Sequence, residues 1–569
     1  MDRRFFRIGP SDLNRLRRIL VVVFEAGGGA LIDRLRLRYY VPLRYRIRGL
    51  FKRQARPEDL IRIVGVQPIV SPPVLRSVLE KLGPTFIKLG QVLSLRADVV
   101  GEELAEELSK LQSDAPPFHY EEARLIFKEE TGRFPEEVFK SLEEKPVAAA
   151  SLAQVHRGLL KDGTEVAVKI QRPGIQKIIL QDIHLLYFLA GLAERFLPEF
   201  RTYQPNRIVR EFADWTLREL NFVVEGQNAE RFRNIFQKNP DIYIPKVFWE
   251  LTAPRVLTME YVHGIKVSDL PRIKTLGLDT KRLASIGIEA LFRQFLIDGF
   301  FHADPHPGNF FVLPDGRLCL HDFGMVGFLD QSARKELLSC LIAFVNKDIE
   351  GFTRHILHMA WIDEKSDVGG FRKDISNILS EFFFSQRHPS VAWSFFRVIN
   401  RGARNGIRFP TDHALFGKAI VTTEAMGLKL HPELDLNEEL APFVKKALRE
   451  HLSPRKAFRT LQADFLDHLN FMSHLPERIQ NVLNKIEKGE IGVKMDTEDL
   501  QGIKREFDRQ NDLRLLGLVL TAVFLATFGL LYLEGITAFL GIPFSRLGMA
   551  LFAVLSVWFL YKLRQGPLK

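Results

Sequence analysis

Phe301-His302-Ala303-Asp304-Pro305-His306-Pro307-Gly308-Asn309, followed shortly by Asp322-Phe323-Gly324, decides the reading of this 569-residue chain. Asp304 and Asn309 have the spacing that kinase-type phosphotransferases put between a nucleophile-orienting carboxylate and a metal-binding amide. Asp322 supplies the carboxylate that would hold magnesium on ATP phosphates. Between the two words, Phe310-Phe311-Val312-Leu313, Pro314-Asp315-Gly316 and Leu318-Cys319-Leu320 read as strand, tight turn and strand. Such a hairpin carries both metal ligands to one end of a small sheet. Asp-Phe-Gly alone is a weak signal, but the ordered pair with a hairpin between is a strong one.

A second half-site lies upstream. Gln154 to Leu160 reads as a strand, Lys161-Asp162-Gly163 as a turn, and Val166-Ala167-Val168-Lys169-Ile170 as a second strand. Val-Ala-Val-Lys closely matches the strand whose lysine pairs the phosphates of ATP. Taken alone, Lys169 reads equally well as one of 80 basic residues in water. Glu225, in Asn221-Phe222-Val223-Val224-Glu225, is the candidate carboxylate that orients Lys169; a solvated helix face is the plainer reading. Where a glycine-rich phosphate loop is expected, the chain has Val147-Ala148-Ala149-Ala150-Ser151-Leu152-Ala153. Alanine carries a Cβ, so this loop is stiffer, and a helix-like turn there would offer amides and Ser151 to a phosphate. An ordinary alanine-rich helix start fits those residues as well.

Together these residues resemble the UbiB family, the aarF-domain-containing or ABC-one atypical kinases. Lys88-Leu89-Gly90-Gln91 matches its Lys-x-Gly-Gln signature, and Ala148 to Ser151 its alanine-rich loop. Glu219-Leu220-Asn221 matches its Glu-x-Asp signature, with Asn221 in place of the aspartate. The resemblance runs from about residue 66 to the C-terminus. It implies an ATP and Mg2+ site with Asp304, Lys169 and Glu225 as catalytic residues and Asn309 and Asp322 as metal ligands. Ala148, Ala149, Ala150, Ser151, Lys169, Glu260 and Val262 would bind the nucleotide. Lys88, Gln91, Glu219 and Asn221 would occlude the place where a peptide substrate docks. On a helix Lys88 and Gln91 share a face, away from the apolar stripe of Phe86, Leu89 and Leu93. Glu219 and Glu225, read as one helix, point about 240° apart. One can then face Lys169 and the other the Lys88 helix, a contact from which Asn221 removes a charge.

After Asp322-Phe323-Gly324 the chain turns helical with no long activation segment and no Ala-Pro-Glu word. That argues against phosphorylation of proteins and favours ATP hydrolysis or a small-molecule acceptor. The two cysteines, Cys319 and Cys340, are too few for a disulfide framework and read as core residues in a reducing compartment. A net charge of +11 suits nucleic acid or an anionic membrane surface, and without a nucleic-acid-binding signature the membrane is preferred.

Leu515 to Leu533 and Leu547 to Tyr561 are apolar runs near the roughly 20 residues that cross a bilayer. A buried helical hairpin is the soluble alternative. Lys504, Arg505, Arg509 and Arg514 precede the first run, and Lys562, Arg564 and Lys569 follow the second, so both flanks read as cytoplasmic. Ile19 to Phe24 is too short for a secretory signal. From Arg34 to Arg53 arginines alternate with Leu, Tyr, Ile and Phe, which suits an anionic leaflet or a solvated surface helix.

The expected fold is α+β: a two-lobed protein-kinase-like fold with a helical N-terminal extension and a C-terminal two-helix transmembrane hairpin. The expected boundaries are a basic membrane-proximal segment over 1–65 and the helical extension over 66–140. An N-lobe over 141–265, a helical C-lobe over 266–495 and a connector with two spans over 496–569 complete it. The two apolar runs and their basic flanks lead to the expectation of a multi-pass protein of a bacterial-type cytoplasmic membrane, its core facing the cytoplasm. The role implied by the resemblance is an ATPase or atypical kinase in ubiquinone or related isoprenoid-quinone biosynthesis. Expected partners are the anionic leaflet, lipid-soluble quinone precursors, quinone-biosynthesis enzymes and a second copy in a homodimer, with no nucleic acid. The alternatives are a small-molecule kinase of the aminoglycoside or choline type, and a nucleotide-dependent non-catalytic scaffold.

Overall fold

Val166, Val168 and Ile170 alternate with Ala167 and Lys169, and this period of two builds the centre of the smaller lobe. The computed structural model describes chiefly residues 9–42, 71–435, 516–527 and 542–564. In the smaller lobe β1 (Phe139–Leu142), β3 (Ala153–Leu160), β4 (Glu165–Gln171) and β6 (Val256–Glu260) form one antiparallel sheet in that order. A short β2 (Ala148–Ala149) pairs with β3. Val166, Val168 and Ile170 are fully buried against Ala123, Ile126 and Phe127. That helix, Tyr120–Thr131, covers one face, so Ala167 and Lys169 turn to the other.

A helical layer precedes and interrupts this sheet. In chain order it comprises α1 (Pro10–Glu25), α2 (Pro72–Leu82) and α3 (Pro84–Leu93), then α4, the Tyr120–Thr131 helix, and, past β4, α5 (Ile175–Phe196). Gly83, at φ +98°, lets α3 start on Pro84 directly after α2. A Cβ at Gly90 would run into the Leu111 and Leu79 side chains, so the close approach of α3 requires glycine there. Helix α5 is the one described helix long and apolar enough to cross a bilayer. Its Asp182 is fully buried, taking two bonds from Arg15 (2.7 and 2.8 Å) and one from Thr85 (2.6 Å). Ile179, Ile183 and Leu186 pack beside it in the core of the extension, as an internal helix does. Leu35, Leu37 and Val41 also bury there, while Tyr39 is exposed. The Arg34-to-Val41 stretch therefore spends its apolar side on the core and forms no continuous surface helix; residues 46–53 lie outside those described.

The chain returns to the small sheet through α6 (Pro205–Glu219) and α7 (Phe222–Phe236). It enters the larger lobe at β7 (Ile265–Lys266) and α8 (Thr280–Arg293). There β5 (Ile242–Tyr243), β10 (Leu318–Leu320), β9 (Phe310–Val312) and β7 make a second sheet, and β8 (Phe300–His302) pairs with β11 (Val326–Phe328). The β9–β10 hairpin forms around the Pro314-Asp315-Gly316 turn as its sequence indicates, with the register Leu318↔Val312 and Leu320↔Phe310. Helices α9 (Gln331–Val345), α10 (Ile349–His358), α11 (Val368–Phe384), α12 (Val391–Arg404) and α13 (Thr411–Leu430) close the lobe. They surround an aromatic core of Phe295, Phe301, Phe371 and Phe416. Cys319 and Cys340 are both buried thiols.

Residues 454–569 form a separate unit. Of the first apolar run, 516–527 is helical, and the second lies in helix Phe544–Arg564. Phe524 and Phe552 meet at 5.5 Å between ring centroids, whereas Leu518, Leu525, Val554 and Val557 are mostly exposed. The connector, most of the loop between the runs, and 528–533 lie outside the described residues.

Candidate active site

Lys169 Nζ sits 2.6 and 2.8 Å from the two carboxylate oxygens of Glu225, a bidentate pair joining β4 to α7. Glu225 is almost wholly buried, and the Lys169 side chain keeps about a fifth of its surface exposed. Burial works against the ammonium, but Glu225, Asp322 and Glu219 together hold Lys169 protonated well above its ordinary range. Burial pushes the Glu225 carboxyl up, Lys169 opposes this, and the charges of Asp322 and Glu219 add to the rise. Four groups from three distant stretches of the chain thus share one electrostatic centre, with three carboxylates around one cation.

Glu219 and Glu225 do not lie on one helix. Glu219 ends α6, and Asn221 caps α7 by accepting the Val223 amide at 3.1 Å. The break turns Glu219 to Lys88, with which it forms an ion pair, while Glu225 faces Lys169. Asn221 uses its side-chain oxygen on the cap, not in the Lys88 contact. Gln171, at the end of β4, donates to Leu220 O at 2.8 Å and fixes the break to the sheet. Gln91 donates to Leu111 O at 3.1 Å, so it braces α3 internally.

The catalytic-type loop is organised by His302. Asp304 N–H donates to His302 Nδ1 at 3.1 Å, and His302 Nε2 lies 2.6 Å from Asp322 O. With Nδ1 accepting, the proton is on Nε2, and one neutral imidazole ties the Asp304 loop to the Asp322 segment. Burial lowers the basicity of His302, which agrees with the neutral form. Continuing the β9–β10 register one step puts Asn309 opposite His321, whose amide donates to Asn309 O at 3.3 Å. Asn309 Nδ2 donates to Asp304 O at 3.0 Å, so its side-chain oxygen is turned from that bond.

Asp322 Oδ1 accepts the Gly324 amide at 2.9 Å. Burial opposes ionisation of Asp322, yet Lys169, the Gly324 amide, His302 and His321 bring its carboxyl down to about 2. An ionised carboxylate and an amide oxygen at one end of a hairpin are hard oxygen donors, which fit Mg2+ held with substrate phosphates. Asp304 carries a further contact: Lys418 Nζ on α13 lies 2.8 Å from its Oδ1.

The alanine-rich segment is neither a helix nor a helix-like turn. Ala148 and Ala149 pair with Val155 and Gln154, and the Ala150 amide closes a tight turn onto Ala153 O at 2.8 Å. Arg172 donates to Ala150 O at 3.1 Å and Pro116 O at 2.8 Å, and Ser151 is buried. A short strand wins over helix because alanine tolerates both and the β3 edge offers ladder partners. The Glu260 carboxylate takes the Tyr243 hydroxyl at 2.6 and 2.7 Å. The Glu260 amide donates to Lys246 O at 2.8 Å, so this end of β6 is held on both its side chain and its main chain, and Val262 follows in the link to β7.

Sequence reasoning passed over Lys418 and Asn228. Asn228 lies one turn beyond Glu225 on α7 and donates to Phe323 O at 3.0 Å. Residues spaced three apart on a helix share a face, and that spacing was the available signal. No local pattern marks Lys418.

Residues 110–356 match the ABC1 atypical kinase-like domain. A protein of Marinobacter nauticus named "Probable protein kinase UbiB" is 34% identical over 418 residues, covering 72% of this chain and 76% of its own. The chain belongs to the UbiB family. The UbiB protein of Aeromonas salmonicida is 34% identical over 84% of this chain and 86% of its own. That of Pseudomonas aeruginosa is 35% identical over 72% and 78%. Among solved structures, the Rv3197–erythromycin complex of Mycobacterium tuberculosis aligns over 62% of this chain and 90% of its own, at 26% identity and a TM-score of 0.45. For a UbiB chain, the kinase-like arrangement of two sheets and a helical lobe is the fold described above.

Proposed function

We propose that this UbiB-family protein is a membrane-anchored Mg-ATP-dependent ATPase or atypical kinase that supports the biosynthesis of ubiquinone or another isoprenoid quinone. The observation that carries the nucleotide site is the Lys169–Glu225 pair within the field of Asp322. Lys169 holds phosphate oxygens, Glu225 keeps Lys169 in place, Asp322 and Asn309 hold the metal, and Asp304 orients the attacking oxygen. Bound Mg2+ neutralises charge on the transferring phosphoryl group.

Two features support hydrolysis or a small acceptor over a peptide. Helix α9 begins at Gln331, directly after β11, which leaves no platform for an extended chain. The Lys88–Glu219 pair clamps α3 beside the site, and Gly324 lies next to Glu219. The exposed apolar residues Leu518, Leu525, Val554 and Val557 support a bilayer anchor. The quinone role rests on the relatives' name. With the anchor in a bacterial cytoplasmic membrane and basic flanks inside, the catalytic part faces the cytoplasm, where anionic lipid and quinone precursors are at hand.

The test is phosphate release by the purified full chain with Mg-ATP, with and without anionic lipid and a phenolic quinone-precursor analogue, against Asp322→Asn. Release that depends on Asp322 is expected, and equal release by both proteins would remove the site assignment. ATP binding without release would favour a scaffold. A phosphorylated soluble product would favour a small-molecule kinase.

A further inference from the structure

In the helical lobe, apart from every residue of the nucleotide site, two histidines converge on one carboxylate. His355 and His358 are three apart on the last turn of α10, and Glu336 comes from α9. His355 Nδ1 lies 2.7 Å from Glu336 Oε2, and His358 Nδ1 lies 3.4 Å from the same oxygen. The two rings stand perpendicular, with centroids 6.0 Å apart. All three donor atoms fall within 4.8 Å of one another. The geometry points to a transition-metal site here, a His2Glu set that takes Zn2+ or Co2+ and staples α9 to α10.

The chemistry follows from ligand type and spacing. Zn2+ binds imidazole nitrogen and carboxylate oxygen at about 2.0–2.2 Å, so tetrahedral neighbours sit roughly 3.3 Å apart. The His358–Glu336 separation already has that value, and the His355–Glu336 pair needs to open by only about half an ångström. Here both rings aim the same nitrogen at the same oxygen, and the backbone spacing of i and i+3 holds them on one face. Two imidazoles favour zinc, cobalt or nickel over Mg2+, which prefers an all-oxygen shell. Glu336 and His355 are about a quarter exposed and His358 is more than half exposed, so a fourth position opens to water. Cys340, one turn on from Glu336, points into the core with its thiol 3.9 Å from Phe352 O and stays outside the set.

The experiment uses the full chain in detergent, stripped with a chelator, in an Asp322→Asn background that removes the nucleotide-site metal ligand. Zn2+ uptake is measured by equilibrium dialysis with excess Mg2+ present, and Co2+ uptake by visible absorption. The Asp322→Asn protein is expected to bind one more zinc than the same protein carrying His358→Asn or Glu336→Gln, or to bind it at least roughly tenfold more tightly. A Co2+ band of nitrogen–oxygen ligation should vanish with either change. His358 is mostly exposed, so its replacement leaves folding intact and the comparison valid. Equal zinc stoichiometry and affinity with and without these changes, or no uptake at roughly 100 µM zinc, would show a plain His–Glu contact and overturn the site.

Discussion

Lys418 on α13 places its ammonium 2.8 Å from Asp304 Oδ1, so the far end of the helical lobe supplies a cation to the carboxylate proposed to orient the attacking oxygen. Asp304 is about one third exposed and can still meet an acceptor. Its main-chain carbonyl is held by Asn309 and its amide by His302, which leaves Lys418 to set the side chain. Phosphoryl transfer depends on positioning and on fixed charge near the transferred group. Lys418→Met should therefore lower phosphate release by roughly 100-fold and leave ATP affinity within about twofold, with Lys418→Arg retaining more. Steady-state kinetics and a nucleotide titration separate the two effects. Unchanged turnover in Lys418→Met would take Lys418 out of the reaction.

The Lys169–Glu225 pair should behave as a unit in stability as well as binding. Lys169→Met leaves a buried carboxylate without its cation, a loss of about 3 kcal/mol by analogy with broken buried pairs. Adding Glu225→Gln removes the stranded charge and should recover most of that loss, while nucleotide binding stays weak. Denaturant midpoints for the four proteins of the cycle give the coupling directly. Additive losses would mean that the two side chains do not depend on each other.

Asn228 links the helix that positions Glu225 to the turn that positions Asp322, because its amide holds Phe323 O. Asn228→Leu should cost only about 1 kcal/mol of stability and yet reduce turnover about tenfold. The carbonyl released next to Asp322 no longer fixes the carboxylate proposed to hold Mg2+. The Mg2+ concentration needed for half-maximal activity should rise as well. A variant that loses stability but keeps its Mg2+ dependence would mark Asn228 as purely structural.

What was legible in the chain was what short-range pattern determines. The β3–β4 and β9–β10 hairpins follow from alternation around Asp162-Gly163 and Asp315-Gly316, and both form as antiparallel pairs. Glu219 and Glu225 were misplaced on one helix because the apolar period carries across 219–225. Asn221, a strong N-cap type, was the overlooked break signal. The alanine segment went astray because alanine is at ease in a helix, and only the neighbouring β3 edge makes it a strand. Lys418 meets Asp304 through the packing of α13 against α8, which no window of sequence contains. The Arg34-to-Val41 stretch shows the same limit, since its leucines are buried by helices from elsewhere in the chain.

His413, in the first turn of α13, predicts how the protein responds to acid. Both of its ring nitrogens are buried without a hydrogen-bond partner among the described residues, and burial takes its basicity from 6.5 to about 4, against the pull of Asp330. The folded-state value is depressed, so the unfolded chain binds the proton more readily. Stability from the neutral ring is complete above 6.5 and drains away as pH falls towards about 4. The sum at stake is on the order of 3 kcal/mol. Burial raises the neighbouring Asp412 carboxyl, whose contribution has the opposite sign: it is complete at low pH and fades as pH rises through the raised value. His302, His321 and His156 are likewise lowered by burial and add to the acid loss. His413→Leu keeps an apolar group in the pocket and removes one proton-linked step. Melting curves between about pH 7.5 and pH 4.5 should show a smaller fall for His413→Leu than for the parent, the gap widening as pH drops below 6.5. Parallel curves for the two proteins would show that His413 is solvated and already free to protonate in the folded state.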